Sequence, residues 1–172
     1  MASADQPGGM IVLRAGLAEA EAVAADSGCV IANDNGPAQV VLSGTVEAVE
    51  TASRIAASSG IAARPLDVAG AFHSPLMAAA AEAFAESLDA VSFRAPSAPV
   101  LSCVTGRPFV DPKRQLVEAL TARVRFRDVV STMRTSGVTD VLDVGPGQVL
   151  AGLVRRTEPS LRKVLVNDVF VA

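Results

Sequence analysis

The sequence predicts an α/β protein in two parts, a small antiparallel sheet with helices followed by a layer in which helices alternate with strands. First, apolar runs of strand length and helix-forming segments follow one another in the order β-α-β-β-α-β between residues 10 and 68. Second, helical segments alternate with buried-type strands over residues 69–172. Third, the 172 residues are 50% hydrophobic and only 19% charged, a composition that favours a folded chain with its own core.

The chain opens with Gly, Pro and polar residues, and residues 1–9 are expected to form a flexible arm. An apolar run at 10–15 has the length of a strand. Helix-forming Ala and Glu then fill residues 17–26, and Gly28 ends that helix. The first strand is therefore followed directly by a helix.

A hairpin is predicted next. Residues 29–32 and 39–43 are apolar runs of strand length, and the residues between them at 33–37 are Asn, Asp, Asn, Gly and Pro. Because these residue types concentrate in turns, we expect the two strands to be joined by a turn over 33–37.

A second helix and a fourth strand complete the first part. Thr45 is a suitable N-cap for a helix over residues 46–58, whose apolar residues lie near one face, and Gly60 stops it. A strand over 61–68 follows. The resulting βαββαβ order predicts a ferredoxin-like subdomain over residues 10–68, with two helices on one face of an antiparallel sheet.

The second part, residues 69–172, contains only three predicted strands. The predicted elements are a helix at 75–91, a strand at 99–104, helices at 115–121 and 127–136, a strand at 140–144, a helix at 148–157 and a strand at 163–168. Three strands form a small sheet to be covered on two faces. The sheet is therefore either minimal or part of a larger sheet that another segment completes.

Charge and composition exclude several classes of function. The 15 Lys and Arg against 18 Asp and Glu leave a net charge of -3, which does not favour a nucleic-acid surface. No apolar run is long enough to cross a membrane and no secretory signal is visible, so we expect a cytoplasmic protein without membrane contact. Cys29, Cys103 and one His do not complete a zinc set, so we expect no metal and two buried, reduced thiols.

His73 is the only histidine, and a lone histidine is more often structural than catalytic. Its context favours chemistry, because Ser74 and Pro75 form an N-cap and first-turn pair that starts a helix directly after it. The imidazole is thereby placed by the positive end of that helix, which favours the neutral form. A neutral imidazole between a strand and a helix is suited to act as a general base.

Residues 70–77, GAFHSPLM, resemble the active-site histidine segment of malonyl-CoA:acyl carrier protein transacylases and the related acyltransferase domains of polyketide synthases. Three further segments resemble the same family in the same order, namely an Asn-rich turn and strand at 31–44, a helix start at 124–130 and a Gly-Pro-Gly turn at 143–150. Spacing and order agree from about residue 9 to residue 168. The agreement of four segments makes the family resemblance specific.

The resemblance implies a fold and a reaction. The fold is an α/β-hydrolase-like core with an inserted ferredoxin-like subdomain, of which residues 69–172 would be the C-terminal portion of the core. The reaction is a ping-pong transfer, in which a serine on a Gly-x-Ser-x-Gly elbow takes malonyl from malonyl-CoA and passes it to the phosphopantetheine thiol of acyl carrier protein. No cofactor is implied beyond these substrates, and the pathway is fatty acid or polyketide synthesis.

The resemblance also implies roles for five residues. His73 is the catalytic base, and the backbone carbonyl of Ala119, where the family usually has Gln, orients it. Phe72 crowds an α-methyl branch and so favours malonyl over methylmalonyl groups. Asn33 and Asn35 are placed toward the acyl and pantetheine region, although turn formation is the simpler explanation of both.

The family pattern is incomplete in this sequence, because it contains no Gly-x-Ser-x-Gly. Ser74 is not expected to replace the nucleophile. The side chains of adjacent residues point apart, so the Ser74 hydroxyl points away from the His73 ring, and it is better explained as the helix cap. We therefore expect the C-terminal half of an acyltransferase, inactive without a Ser-bearing half, that exposes an apolar face and associates with such a half or with itself. The alternatives are a non-catalytic remnant acting as a carrier-protein docking or scaffold module, and a His-dependent thioesterase.

Overall fold

The computed structural model of the protein describes residues 7–164. The first part contains β1 (Gly8–Leu13), α1 (Leu17–Ser27), β2 (Val30–Gly36), β3 (Gln39–Thr45), α2 (Val46–Ser58) and β4 (Ala63–Pro65). The second part contains a 3-10 turn (Pro75–Met77), α3 (Ala78–Leu88), α4 (Pro112–Thr121), α5 (Phe126–Thr135), β5 (Asp140–Leu142), α6 (Val149–Thr157) and β6 (Arg162–Val164). The predicted α/β class is confirmed.

The first four strands form one antiparallel sheet with the order β2-β3-β1-β4. This is the order of a split βαβ arrangement, so the predicted ferredoxin-like topology is confirmed. Ile11 and Leu13 of β1 alternate with residues of the opposite face and are fully buried against α1 and α2, together with Val40 and Leu42 of β3. A helical layer therefore covers one face of the sheet.

The hairpin differs from its prediction in one respect. Residues 33–36 lie within β2, and the turn to β3 contains only Pro37 and Ala38. Register shifts in the β2–β3 pairing fall between Ile31 and Asn33 and between Asp34 and Gly36. Bulges of this kind accommodate poor strand formers, and the outer edge of β2 gains a partner from far along the chain, because Val124 pairs with it.

The second part forms a smaller sheet than predicted. β5 and β6 make a two-stranded parallel pair, and residues 99–104 form no strand but only an isolated bridge between Leu101 and Pro108. Within the described residues no strand of either sheet pairs with this segment, although it has the residues of a strand. Within residues 7–164 the described β6 ends at Val164, and the rest of the predicted last strand, like most of the predicted arm, lies outside the described residues.

Apolar side chains are exposed at several places in the second part of the chain. Val110 is 91%, Val144 75% and Val149 72% exposed. Phe93, Val100 and Leu150 are further exposed apolar residues of the second part. Parallel strands are normally buried on both faces. This part of the chain therefore exposes apolar surface of a kind that is usually buried inside a protein or at an interface. In the described residues, no helix is long and apolar enough to cross a membrane.

Candidate active site

The candidate site is built around a tight connection that ends in a helix cap. Ser74 is buried and has an extended backbone, and its Oγ accepts a hydrogen bond from the backbone N–H of Leu76 at 3.2 Å. The same hydroxyl donates to the carbonyl of Ala71 at 2.6 Å. Pro75 occupies the first helical position. Ser74 is therefore the predicted N-cap, and its side chain is fully used by that role.

The backbone of His73 lies in the left-handed region, with a φ of 59°, the one positive φ outside glycine among residues 7–164. Such a conformation is uncommon for a residue with a side chain, although His is among the types enriched there. This conformation costs free energy, so it persists only where contacts with the surrounding structure fix the residue. Residues in such conformations concentrate at functional sites.

Two contacts to the end of α4 fix His73. Its Nδ1 lies 2.7 Å from the carbonyl oxygen of Ala119, and its backbone N–H donates to the carbonyl of Leu120 at 3.1 Å. Both carbonyls belong to the last turn of α4, whose carbonyls have no partner within the helix. His73 thus caps α4 while Ser74 caps the helix that follows.

The contact with Ala119 determines which nitrogen of the ring is free. A carbonyl oxygen only accepts hydrogen bonds, so the proton of a neutral His73 ring lies on Nδ1. The lone pair of Nε2 is then available to accept a proton. The ring thus lies at the carbonyl end of α4 as well as at the start of the helix that follows it. The sequence interpretation considered only the helix after His73 and missed this second helix end.

The other predicted site residues are less closely associated with His73. Phe72 is 40% exposed, next to the histidine in sequence. Asn33 and Asn35 are half-buried residues of β2, and among residues 7–164 neither amide forms a hydrogen bond. The structure therefore brings Ala119 to His73, whereas the roles of Phe72 and the two asparagines stay predictions.

A charged pair beside these asparagines was missed by the sequence interpretation. Asp34 is 4% exposed, and its Oδ2 accepts hydrogen bonds from Nη2 of Arg127 at 2.5 Å and from Nε at 3.1 Å. Its Oδ1 is buried without a hydrogen-bond partner in the described part of the chain. The sequence gives little sign of this pair, because Asp34 lies between two asparagines in a segment with the composition of a turn.

Beside the His73 segment lies a small cavity of about 200 Å³, lined by Ser74, Pro75 and Leu76 and by residues of the hairpin. Ligand sites for drug-sized molecules usually have about 300–1,000 Å³. This cavity is smaller than that range, and His73 is not among the residues that line it.

The two cysteines lie in different environments. Cys29 is buried, and desolvation raises the pKa of its thiol although a hydrogen bond with Ser27 opposes the shift. Cys103 is an exposed residue, so the expectation of two buried thiols is wrong for it.

The fold is similar to those of known structures. The fold matches the crystal structure of the acyltransferase domain of an iterative polyketide synthase in enediyne biosynthesis with a TM-score of 0.87 and 38% identity, covering 99% of this chain and 45% of that one. It matches malonyl CoA-acyl carrier protein transacylase from Clostridium perfringens with a TM-score of 0.89 and 28% identity, covering 93% of this chain and 53% of that one. The class of protein is thus that of the acyltransferases.

Sequence comparison gives the family. The model of the acyl transferase domain family matches residues 1–170, and the chain belongs to this family. It is 41% identical over 142 residues to the malonyl CoA-acyl carrier protein transacylase of Bacillus subtilis, covering 80% of this chain and 45% of that protein. The corresponding protein of Synechocystis is 44% identical over 135 residues, covering 77% and 45%. The chain spans about half the length of the curated relatives that it matches.

Proposed function

We propose that this chain carries the histidine base of a malonyl-CoA:acyl carrier protein transacylase-type acyltransferase and transfers acyl groups only together with a Ser-bearing segment. The observation that carries the proposal is the bond from His73 Nδ1 to the Ala119 carbonyl, since it leaves Nε2 as a free base. The family match supports the acyl-transfer chemistry. The absence of Gly-x-Ser-x-Gly from the sequence supports the need for a second segment.

In the proposed reaction the serine Oγ attacks the thioester carbonyl of malonyl-CoA while His73 Nε2 accepts the hydroxyl proton. The carbon–sulfur bond then breaks, and the imidazolium returns the proton to the departing CoA sulfur. In the second half, His73 takes the proton of the phosphopantetheine thiol of the carrier protein. The thiolate attacks the malonyl ester, and the serine oxygen leaves with that proton. The Ala119 carbonyl holds the ring throughout both halves.

The neighbouring residues are proposed to select and bind the acyl group. Phe72 is partly exposed beside the base, where its ring would crowd an α-methyl branch, so malonyl is the preferred group. Asn33 and Asn35 have amide groups without hydrogen-bond partners in residues 7–164 and are proposed to bind the acyl or pantetheine amides. The sequence interpretation favoured a turn role for both asparagines, but they lie within β2 and not in the turn.

The proposed location of the Ser-bearing segment is the exposed apolar surface around β5, β6 and residues 91–110. Val110, Val144 and Val149 are more than two-thirds exposed, and two parallel strands are open to solvent. We expect light scattering of the chain alone to show self-association at high concentration. A well-behaved monomer that binds no hydrophobic dye would contradict this part of the proposal.

The deciding experiment joins this chain to the N-terminal half of a related transacylase by co-expression and measures malonyl transfer to carrier protein. His73→Ala should lower transfer by several orders of magnitude without changing association, because nucleophile and base act as a unit. His73→Asn is the matched control for shape, since Asn tolerates the left-handed backbone and donates to the Ala119 carbonyl but is no base. Ala119→Gln should change activity modestly, because the contact is made by the backbone.

Equal transfer by the wild type and His73→Ala would remove the catalytic assignment. The missing Ser elbow then favours the second candidate, a non-catalytic module that docks carrier protein. That candidate predicts binding of carrier protein to the chain alone, unchanged in His73→Ala. For the chain alone with malonyl-CoA, we expect no acyl adduct by intact mass spectrometry, and a stable malonyl group on any serine would contradict the dependence on a second segment.

A further inference from the structure

Asp34 is an unusual residue for its position in the middle of a strand. Strands are depleted in Asp, and a buried carboxylate requires a charged partner. Its side chain is only 6% exposed, and the partner is Arg127 of α5, 93 residues along the chain. The pair therefore ties the outer strand of the four-stranded sheet to the first turn of α5.

The same strand also bonds the connection between α4 and α5. The N–H of Asp34 donates to the carbonyl of Val124 at 2.8 Å, and the N–H of Val124 donates to the carbonyl of Ala32 at 2.8 Å. Val124 lies in the short link between Thr121, where α4 ends, and Phe126, where α5 begins. The link is thus held against β2 by two backbone bonds, and the ion pair holds Arg127, the second residue of α5, to the same strand.

The other end of this link leads directly to the histidine. Ala119 and Leu120, whose carbonyls bond His73, precede the link by two to three residues in the last turn of α4. A shift of the link away from β2 would move these carbonyls relative to the ring, because helix and link are continuous backbone. The position of the ring therefore depends on how firmly the link is held.

We propose that the ion pair between Asp34 and Arg127 is a positioning element that holds the α4–α5 link on β2 and thereby keeps His73 in its Nδ1–H form. Neither side chain touches His73, so both are positioning residues and act through the carbonyl of Ala119. The catalytic consequence rests on the proposed function, in which Nε2 is the base. The structural consequence, which is the tautomer of the His73 ring, does not depend on the proposed function.

The chain offers a direct measurement of that tautomer, because it contains a single histidine. Long-range nitrogen–proton NMR spectra of the labelled full chain then report one ring, and the two nitrogen shifts identify the protonated atom. We expect the wild type to show the Nδ1–H form. Because losing one hydrogen bond changes a local equilibrium by about fivefold, Asp34→Asn and Arg127→Met should raise the ratio of the Nε2–H to the Nδ1–H form by about that factor.

A matched control comes from an ion pair on the two-stranded sheet. Arg162 and Asp140 form an exposed ion pair on β5 and β6, with an Nε to Oδ1 distance of 2.5 Å. Arg162→Met makes the same chemical change as Arg127→Met without contact to the α4–α5 link, and we expect it to leave the tautomer unchanged. Exchanging the two charges, Asp34→Arg with Arg127→Asp, should restore part of the Nδ1–H form that each single change loses.

The outcomes separate the two proposals. If Asp34→Asn and Arg127→Met fold and keep the wild-type spectrum, the positioning role is wrong whatever the activity. If the wild type itself shows the Nε2–H form, the base assignment under the proposed function fails. If Asp34→Asn, which preserves shape, does not fold, the pair maintains the fold instead of the ring, and the positioning role is again wrong. In the assembled enzyme a positioning role further predicts a lower kcat with an unchanged KM.

Discussion

The backbone of His73 makes a quantitative prediction about stability that does not depend on any reaction. A residue with a Cβ in the left-handed conformation costs about 1–2 kcal/mol relative to the right-handed one. The bond from Nδ1 to the Ala119 carbonyl offsets this cost by about 0.5–1.5 kcal/mol. The free energy of unfolding should therefore respond differently to three substitutions at this one position.

His73→Ala loses the side-chain bond, leaves the half-buried carbonyl of Ala119 without that partner and keeps the unfavourable backbone. We expect it to lower the free energy of unfolding by about 1–2 kcal/mol. His73→Gly loses the same bond but relieves the left-handed backbone, so the two effects should cancel to within about 1 kcal/mol. His73→Asn keeps an N–H donor and a tolerated backbone, and its unfolding free energy should equal that of the wild type within about 0.5 kcal/mol.

Urea unfolding of the full chain, followed by circular dichroism, gives the three differences. The order of stability expected is wild type and Asn variant first, then Gly, then Ala. A His73→Gly variant no more stable than His73→Ala would refute the argument that the backbone is strained. A His73→Ala variant as stable as the wild type would show that the bond to Ala119 contributes nothing.

Two further predictions concern charge and close packing. Arg162 lowers the pKa of the Asp140 carboxyl by hydrogen bonding, so the pair stabilises the fold above the ordinary value of 3.8 and loses this effect as the pH falls through the lower folded value. The unfolding free energies of Arg162→Met and wild type should accordingly differ at about pH 6 and converge as the pH falls below the ordinary value of 3.8, and a constant difference would contradict the assignment. Gly36 has a φ of 151°, and a Cβ there would lie 2.7 Å from Oγ1 of Thr157. Gly36→Ala should therefore lower the melting temperature more than Gly137→Ala, which also has a positive φ but meets open space; equal shifts would show that α6 yields without cost.

The local features of this fold were predictable from neighbouring residues in the sequence. Short apolar runs predicted β1 and β3, and the Ser74–Pro75 pair predicted the helix start, because each depends on residues a few positions apart. The course of β2 was not predictable in this way. Residues 33–36 have the composition of a turn and became strand through Val124 and Arg127, which lie about 90 residues away.

Distance in sequence also explains what was missed at the candidate site. The resemblance identified His73 and the carbonyl of Ala119, and the structure brings the two together. The ion pair of Asp34 follows no short motif, so only the folded chain reveals it. The segment at 99–104 shows the opposite case, since strand-forming residues remain without regular structure when no adjacent strand is present to bond them.

The hydrogen bond that orients the His73 ring is accepted by the main-chain carbonyl oxygen of Ala119, an atom that every amino acid supplies. A substitution at position 119 therefore leaves the contact in place, as Ala119 does where the resemblance implies Gln. The contact depends instead on the number of residues in α4, because that number sets the direction in which its last carbonyls point. Removing or adding one residue in that helix turns its last carbonyls by about 100° around the axis and points them away from the ring. In this part of the protein, selection should tolerate substitutions readily and reject insertions and deletions.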